Sequence, residues 1–194
     1  MTFVRPATLD AGVVQLQLAL SQTKPKTGKT MEMHPRVALW NACDVLINDR
    51  EFVEAGLRVL YENNQIVSFL FNTIVPHIEE RLRTDTLREE LTTQKEDSVT
   101  QNKTRYDAII AALNDAIGLS EARDVSERFA NMRNAMKPLA QNATVKSGLL
   151  TLYVSSKTAR KALDMILERL LHTFEHDRDI QKTTDIPFDA MMLG

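Results

Sequence analysis

The stretch VKSGLLTLYVSSKTARKALDMILERLLHTF, residues 145–174, decides the fold. Val145, Leu149, Leu152, Ser156, Ala159, Leu163, Ile166, Leu170 and Phe174 return at steps of three and four, which traces one face of an α-helix. His172 and Glu168 fall on the opposite side, so the apolar stripe needs other helices to cover it. Uninterrupted, the segment would form a rod about 45 Å long at about 1.5 Å per residue. Ser155-Ser156 is the place where two helices would replace one.

The rest of the chain supplies such helices. Leu9, Val13, Leu16 and Leu20 predict a first helix after Pro6. Residues 22–35, QTKPKTGKTMEMHP, lose all apolar period and predict a mobile basic loop. Pro35 suits the first turn of a second helix through Trp40, Cys43 and Ile47, and Asn48 or Asp49 ends it and caps a third over 50–63. Asn63-Asn64 turns the chain into its most hydrophobic stretch, with Ile66, Phe69, Leu70, Thr73 and Ile74 facing inward and Pro76 kinking or restarting the helix.

Residues 78–101 are thin in apolar side chains. Thr86 with Glu89 and Ser98 with Gln101 match capping boxes, which predicts a short solvated helix in a charged, protruding segment. Tyr106, Ile109, Ile110, Leu113 and Ile117 predict a helix ending at Gly118, with Ser120 capping the next. Ala122, Val125, Phe129, Met132 and Met136 form a seam of two heptads, closed by Pro138, suited to a packed bundle helix rather than a free coiled coil.

Composition agrees. Hydrophobic residues at 43% exceed what a disordered chain carries, and six Gly and six Pro leave few turns for an all-β fold. The most apolar run, 66–75, is about half the length that a bilayer demands. No membrane association is expected. MTFVRPATLDAG carries one Arg and no secretory apolar core, so no signal peptide is expected. Cys43, the single cysteine, has no internal disulfide partner and sits on an apolar face as a buried, inert thiol. The cytoplasm of a cell or of an infected host cell is the expected compartment, and the sequons at Asn102 and Asn142 then read as chance matches. The expected architecture is a single-domain all-α bundle of about six to eight helices with a long C-terminal helix, the domain covering 1–176 and a C-terminal tail covering 177–194.

Motifs that carry chemistry are few. Gly28-Lys29-Thr30 matches the end of a phosphate-binding loop, but Thr23 stands where that motif needs glycine and a helix precedes it where a strand belongs. His172-x-x-Glu175-His176 has the spacing that brings two imidazoles to one Zn²⁺ with a glutamate base. Only 18 residues follow it to supply a further ligand, and none is diagnostically spaced. No Glu-x-x-His of a di-iron bundle occurs. Lys157, Arg160 and Lys161 share one helical turn, and Lys24, Lys26 and Lys29 lie in the loop; together they are the candidate phosphate contacts, although Asp164 and Glu168 stand where they can pair with the patch.

Net charge is −2, so no global field draws the protein to nucleic acid, yet the charge is segregated: Lys in 22–35 and 157–161, acid in 79–97 and 175–189. Ile186, Phe188, Met191, Met192 and Leu193 make the tail more apolar than a solvated one, a candidate docking strip. The expectation is a non-enzymatic interaction protein with no cofactor: a subunit or adaptor of a larger assembly, cellular or viral, with a protein partner or as a homo-oligomer. A nucleic-acid-binding accessory protein is the alternative. A metal-dependent hydrolase at His172 and His176 stands behind both.

Overall fold

The computed structural model describes residues 2–26, 34–122 and 124–184, with 128 and 174–184 described by backbone alone. Among them every regular element is helical: α1 (Leu9–Gln22), α2 (Pro35–Asn48), a π-helical segment (Phe52–Leu57) running into α3 (Arg58–Asn63), α4 (Gln65–Arg83), α5 (Thr86–Thr92), α6 (Glu96–Glu121), α7 (Glu127–Gln141), α8 (Ala143–Ser155) and α9 (Lys157–Thr184). The all-α bundle with a long last helix is therefore the fold, divided a little more finely than six to eight helices. No helix among the described residues is long and apolar enough to cross a membrane.

Side chains set most helix starts. The first backbone N–H groups of a helix lack partners, and a short polar side chain satisfies them. Thr8 accepts from the Ala11 amide, Asp49 from Phe52, Asn64 from Ile66 and Val67, Ser126 from Phe129, Asn142 from Val145 and Ser156 from Ala159. Pro35 sits in the first turn of α2, with the His34 ring nitrogen as cap. The serine pair does divide the long C-terminal pattern: Ser156 has extended backbone at φ −122° and ends α8 while capping α9. α9 runs to Thr184, past residue 176.

Other local expectations yield to packing. Helix 50–63 is present, but the Arg58 amide bonds to the Val53 carbonyl, five residues back, so one turn is a π-turn. That wider turn buries Phe52, Val53, Gly56 and Leu57 together. At Gly56 a Cβ would overlap the Met136 methyl and stand 3.0 Å from the Ala135 Cβ, so the missing side chain is what lets α7 lie against the π-turn. α4 neither stops nor restarts at Pro76, and α7 passes through Pro138. Gly118 lies inside α6 rather than ending it, Ser120 is buried near its end, and Ser126 caps α7 in its place. A short helix, α5, does begin at Thr86, but no capping box forms there, since Asp85 precedes it with no side-chain cap; Ser98 lies within α6 rather than starting a helix.

The inward face of α4 is Val67, Leu70, Phe71, Ile74, Val75, Ile78 and Leu82, whereas Phe69 points to solvent at 58% exposure. Over residues 66–75 apolar side chains extend well beyond one face, so their spacing does not decide between Val67 and Phe69 as the inward residue. Nor does 78–101 protrude as a wholly solvated segment. Leu87 is fully buried, and Arg81, only 6% exposed, pairs with Glu80 at 2.9 Å and with Glu90.

α2 lies against α8, α1 against α4, and α9 against α4, α6 and α8. At the α2–α8 contact the helices meet through small residues: a Cβ on Gly148 would overlap the Ala42 methyl and the Ala38 carbonyl oxygen. Leu16, Leu39, Leu113, Ile117, Met136, Leu152, Leu167 and Leu170 fill the centre with almost no exposed surface. Each contributes about 1.5–3 kcal/mol by leaving water. Tyr106 and Tyr153, their ring centres 5.2 Å apart and their planes tilted by 54°, tie α6 to α8.

Candidate functional site

The non-helical N-terminal residues 2–6 form a strap across α1 and α4. Pro6 is buried, and Gly12 of α1 lies so close to the Phe71 ring that a Cβ would overlap it, with Pro6 Cγ at 3.4 Å. Gln15 Nε2 donates to the Val4 carbonyl at 2.8 Å and also to Glu79 of α4. The Arg5 guanidinium donates to the Phe69 carbonyl at 3.3 Å and to the Thr73 hydroxyl, and its Cζ stands 4.4 Å from the centre of the Phe69 ring. That last contact is a cation–π pair at an exposed site.

Large apolar side chains stay in water on the strap and on both helices it crosses: Val4 at 70% on the strap, Phe69 at 58% on α4, and Val14 at 61% and Leu18 at 52% on the outer side of α1. Val14 and Leu18 are one turn apart on α1, on the side away from Leu16 and Leu20. Between strap and α4 runs an open cleft of about 460 Å³ lined by Phe3, Arg5, Asn72, Thr73, His77 and Glu80, among others. Pro76 lies in its wall and has no N–H, so the Asn72 carbonyl loses its regular intrahelical donor.

The polar groups of the cleft are positioned from behind by Arg81. Its Nη1 lies 3.1 Å from His77 Nδ1 and 2.9 Å from Glu80 Oε2. A guanidinium only donates, so Nδ1 accepts and the ring proton of neutral His77 is on Nε2. Burial, then the Arg81 charge, hold the His77 pKa below its ordinary value. The cleft thus offers a neutral imidazole, an amide, a carboxylate and a guanidinium, with the exposed Val4 and Phe69 next to Arg5. Such a mixture can orient an amphipathic partner segment.

The basic residues expected to meet phosphate take separate parts. Arg160 is half-buried: its Nε donates to the Tyr153 carbonyl at 3.1 Å and its Nη2 to the Val154 carbonyl at 3.3 Å, closing the end of α8. Asp164, instead of pairing with the patch, is buried; it accepts the Tyr153 hydroxyl and pairs with Arg105 at 2.9 Å. Lys157 and Lys161 remain exposed, as do Lys24 and Lys26, while Lys29 lies outside the described residues. His172 is exposed on α9; the side chain of His176 lies outside the described ones. Among the described residues no three His, Cys, Asp or Glu side chains are grouped to hold a metal ion. The strip Ile186, Phe188, Met191, Met192 and Leu193 also lies outside the described residues.

The strap face was missed from sequence because its parts are far apart in the chain. Comparison of the chain with protein-family models, with curated proteins and with solved structures finds no match.

Proposed function

We propose that the chain is a protein-interaction module, a subunit or adaptor of a larger assembly, cellular or viral, whose partner docks on the strap face. The observation that carries this reading is that Val4 of the strap and Phe69, whose ring lies against Arg5 of the strap, are each more than half exposed on a face that also carries the polar cleft between strap and α4. Covering each of them contributes about 1–2 kcal/mol, and polar groups at the rim fix orientation. The frame is held by Pro6, Gln15 and Arg5, so little ordering is needed on binding.

Val4→Glu and Phe69→Glu test this, with Leu119→Glu on α6 as control, since Leu119 is comparably exposed at 59%. Light scattering over a concentration series measures self-association, and quantitative pull-down from the native host measures a different partner. Loss of either association by tenfold or more in the strap variants, with the control unaffected and helicity retained, supports the reading. Equal behaviour of all three variants refutes it.

A second reading is phosphate contact in a nucleic-acid accessory role. Lys157 and Lys161 are exposed at the start of α9, and no acidic residue occupies that helix's first turn, where the backbone favours anions. Fluorescence anisotropy with single- and double-stranded DNA and RNA tests it: affinity should fall steeply with salt and with Lys157→Glu. No binding at low salt removes this reading.

A further inference from the structure

The packed centre of the bundle leaves a gap among its side chains. A cavity of about 110 Å³ lies where the π-turn, α1, α2, α4, α7, α8 and α9 converge, and its lining exposes carbon and sulfur but no polar area. Phe52 and Leu57, the two ends of the π-turn, form one wall; Cys43 and Met136 face it, and Leu163 and Ile166 of α9 close it. Cores seldom keep a void larger than a water molecule. A water here would find no set of polar partners, and apolar cavities of this kind stay dry.

Two independent features meet at this place. One is the void. The other is the π-turn, a local departure from α-helix that occurs frequently at functional sites and here sets the void's wall. We propose that the cavity is a preformed binding site for a small, uncharged hydrocarbon group, an alkyl end or short alkane. The absence of polar lining excludes a ligand that buries a charge or an unpaired hydrogen-bonding group. An engineered apolar cavity of about 150 Å³ takes xenon or benzene, so this one suits occupants at or below that size. Met136, unbranched and flexible, can adjust to the occupant, and Ile166 is the one lining side chain that is only half-buried, which places the entry on the α9 side.

The sole cysteine reports on occupancy. Burial pushes the Cys43 thiol up to about 12, so at pH 8 it reacts with a small thiol reagent only when the bundle opens. An occupant that binds the closed state slows labelling by the factor 1 + [L]/Kd, about 11-fold at ten times Kd. Xenon is the first probe and propane the second, with methyl methanethiosulfonate as the reagent. Xenon titration followed by ¹³C-methyl NMR supplies Kd separately, with saturable shifts expected at Leu57, Leu163 and Ile166. Leu163→Phe, which fills the space, should abolish both the protection and the shifts. The inference is overturned if neither gas protects Cys43, if Leu163→Phe is protected equally, or if xenon shifts spread evenly over all methyls. Should Leu163→Phe fail to fold, the NMR titration of the unaltered protein decides alone.

Discussion

Replacing Gly148 by Ala and Gly118 by Ala makes the same chemical change in two helix interiors, and the structure requires opposite results. An alanine in a helix is intrinsically favoured over glycine by about 1 kcal/mol. At Gly118 nothing lies within 4 Å of the added Cβ, so that preference acts alone and stability should rise by about 0.5–1 kcal/mol. At Gly148 the methyl would overlap the Ala38 carbonyl oxygen and the Ala42 Cβ, and would leave only 3.1 Å to the Ala38 carbonyl carbon. Backbone and Cβ atoms have no rotamer to change, so α2 and α8 must separate. Overpacking of this kind costs about 1–3 kcal/mol, and a rigid obstacle selects the upper end. After the helix preference the net loss is about 2 kcal/mol. For a chain of 194 residues the melting temperature should then fall by about 4–8 °C for Gly148→Ala and rise by about 1–4 °C for Gly118→Ala. Thermal unfolding by circular dichroism, with urea midpoints as a check, measures both. A neutral or stabilising Gly148→Ala would refute the backbone contact between α2 and α8.

Two pH signatures follow from buried groups. Cys43 is raised from 9.0 to about 12 in the fold, so above pH 9 the unfolded chain loses a proton that the folded protein keeps, and stability is lost as pH rises. Relative to Cys43→Ala, the protein should lose about 1.4 kcal/mol between pH 8 and 10 in urea unfolding; a constant difference between the two would contradict the burial of the thiol. His77 works in the other direction. Its pKa is lowered from 6.5 in the fold, so the unfolded chain binds the proton first on acidification, and stability present above pH 6.5 is lost as pH falls. The unaltered protein should therefore lose stability relative to His77→Gln between pH 7 and 5.5, and an unchanged difference would count against the neutral imidazole beside Arg81.

What could be read from sequence was the local chemistry. Asp49, Asn64, Asn142 and Ser156 each satisfy an amide two or three residues away, so a cap is visible without knowledge of the fold. The face of α4 was not, because over residues 66–75 apolar side chains spread well beyond one face and the neighbouring helices decide which of them turn in; Val67 goes in and Phe69 comes out. Gly118 and Pro138 are stop signals only when nothing packs beyond them, and Ser120 and Leu139 beyond them are both buried. The π-turn depends on Met136 seated against Gly56, a contact between residues far apart in the chain. The candidate site shows the same limit. Arg160 looks like surface charge in one dimension, yet its guanidinium closes α8, and the strap face exists only once residues 4 and 5 reach Gln15 and Phe69.

The break at Ser156 also gives α9 the geometry of a pointer. The helix is 28 residues long, about 42 Å, and its near end is fastened by Ser156 and by Arg160 on the last carbonyls of α8. For a straight helix turning about that joint, Leu163 sits roughly 10 Å along and Thr184 roughly 40 Å along. A shift of about 1 Å at Leu163 would thus become about 4 Å at Thr184 by leverage alone. Small changes in how the bundle centre is filled at Leu163 would therefore be enlarged at the distant end of the last helix, with α4 and α6, which pack along it, yielding by the smaller displacement.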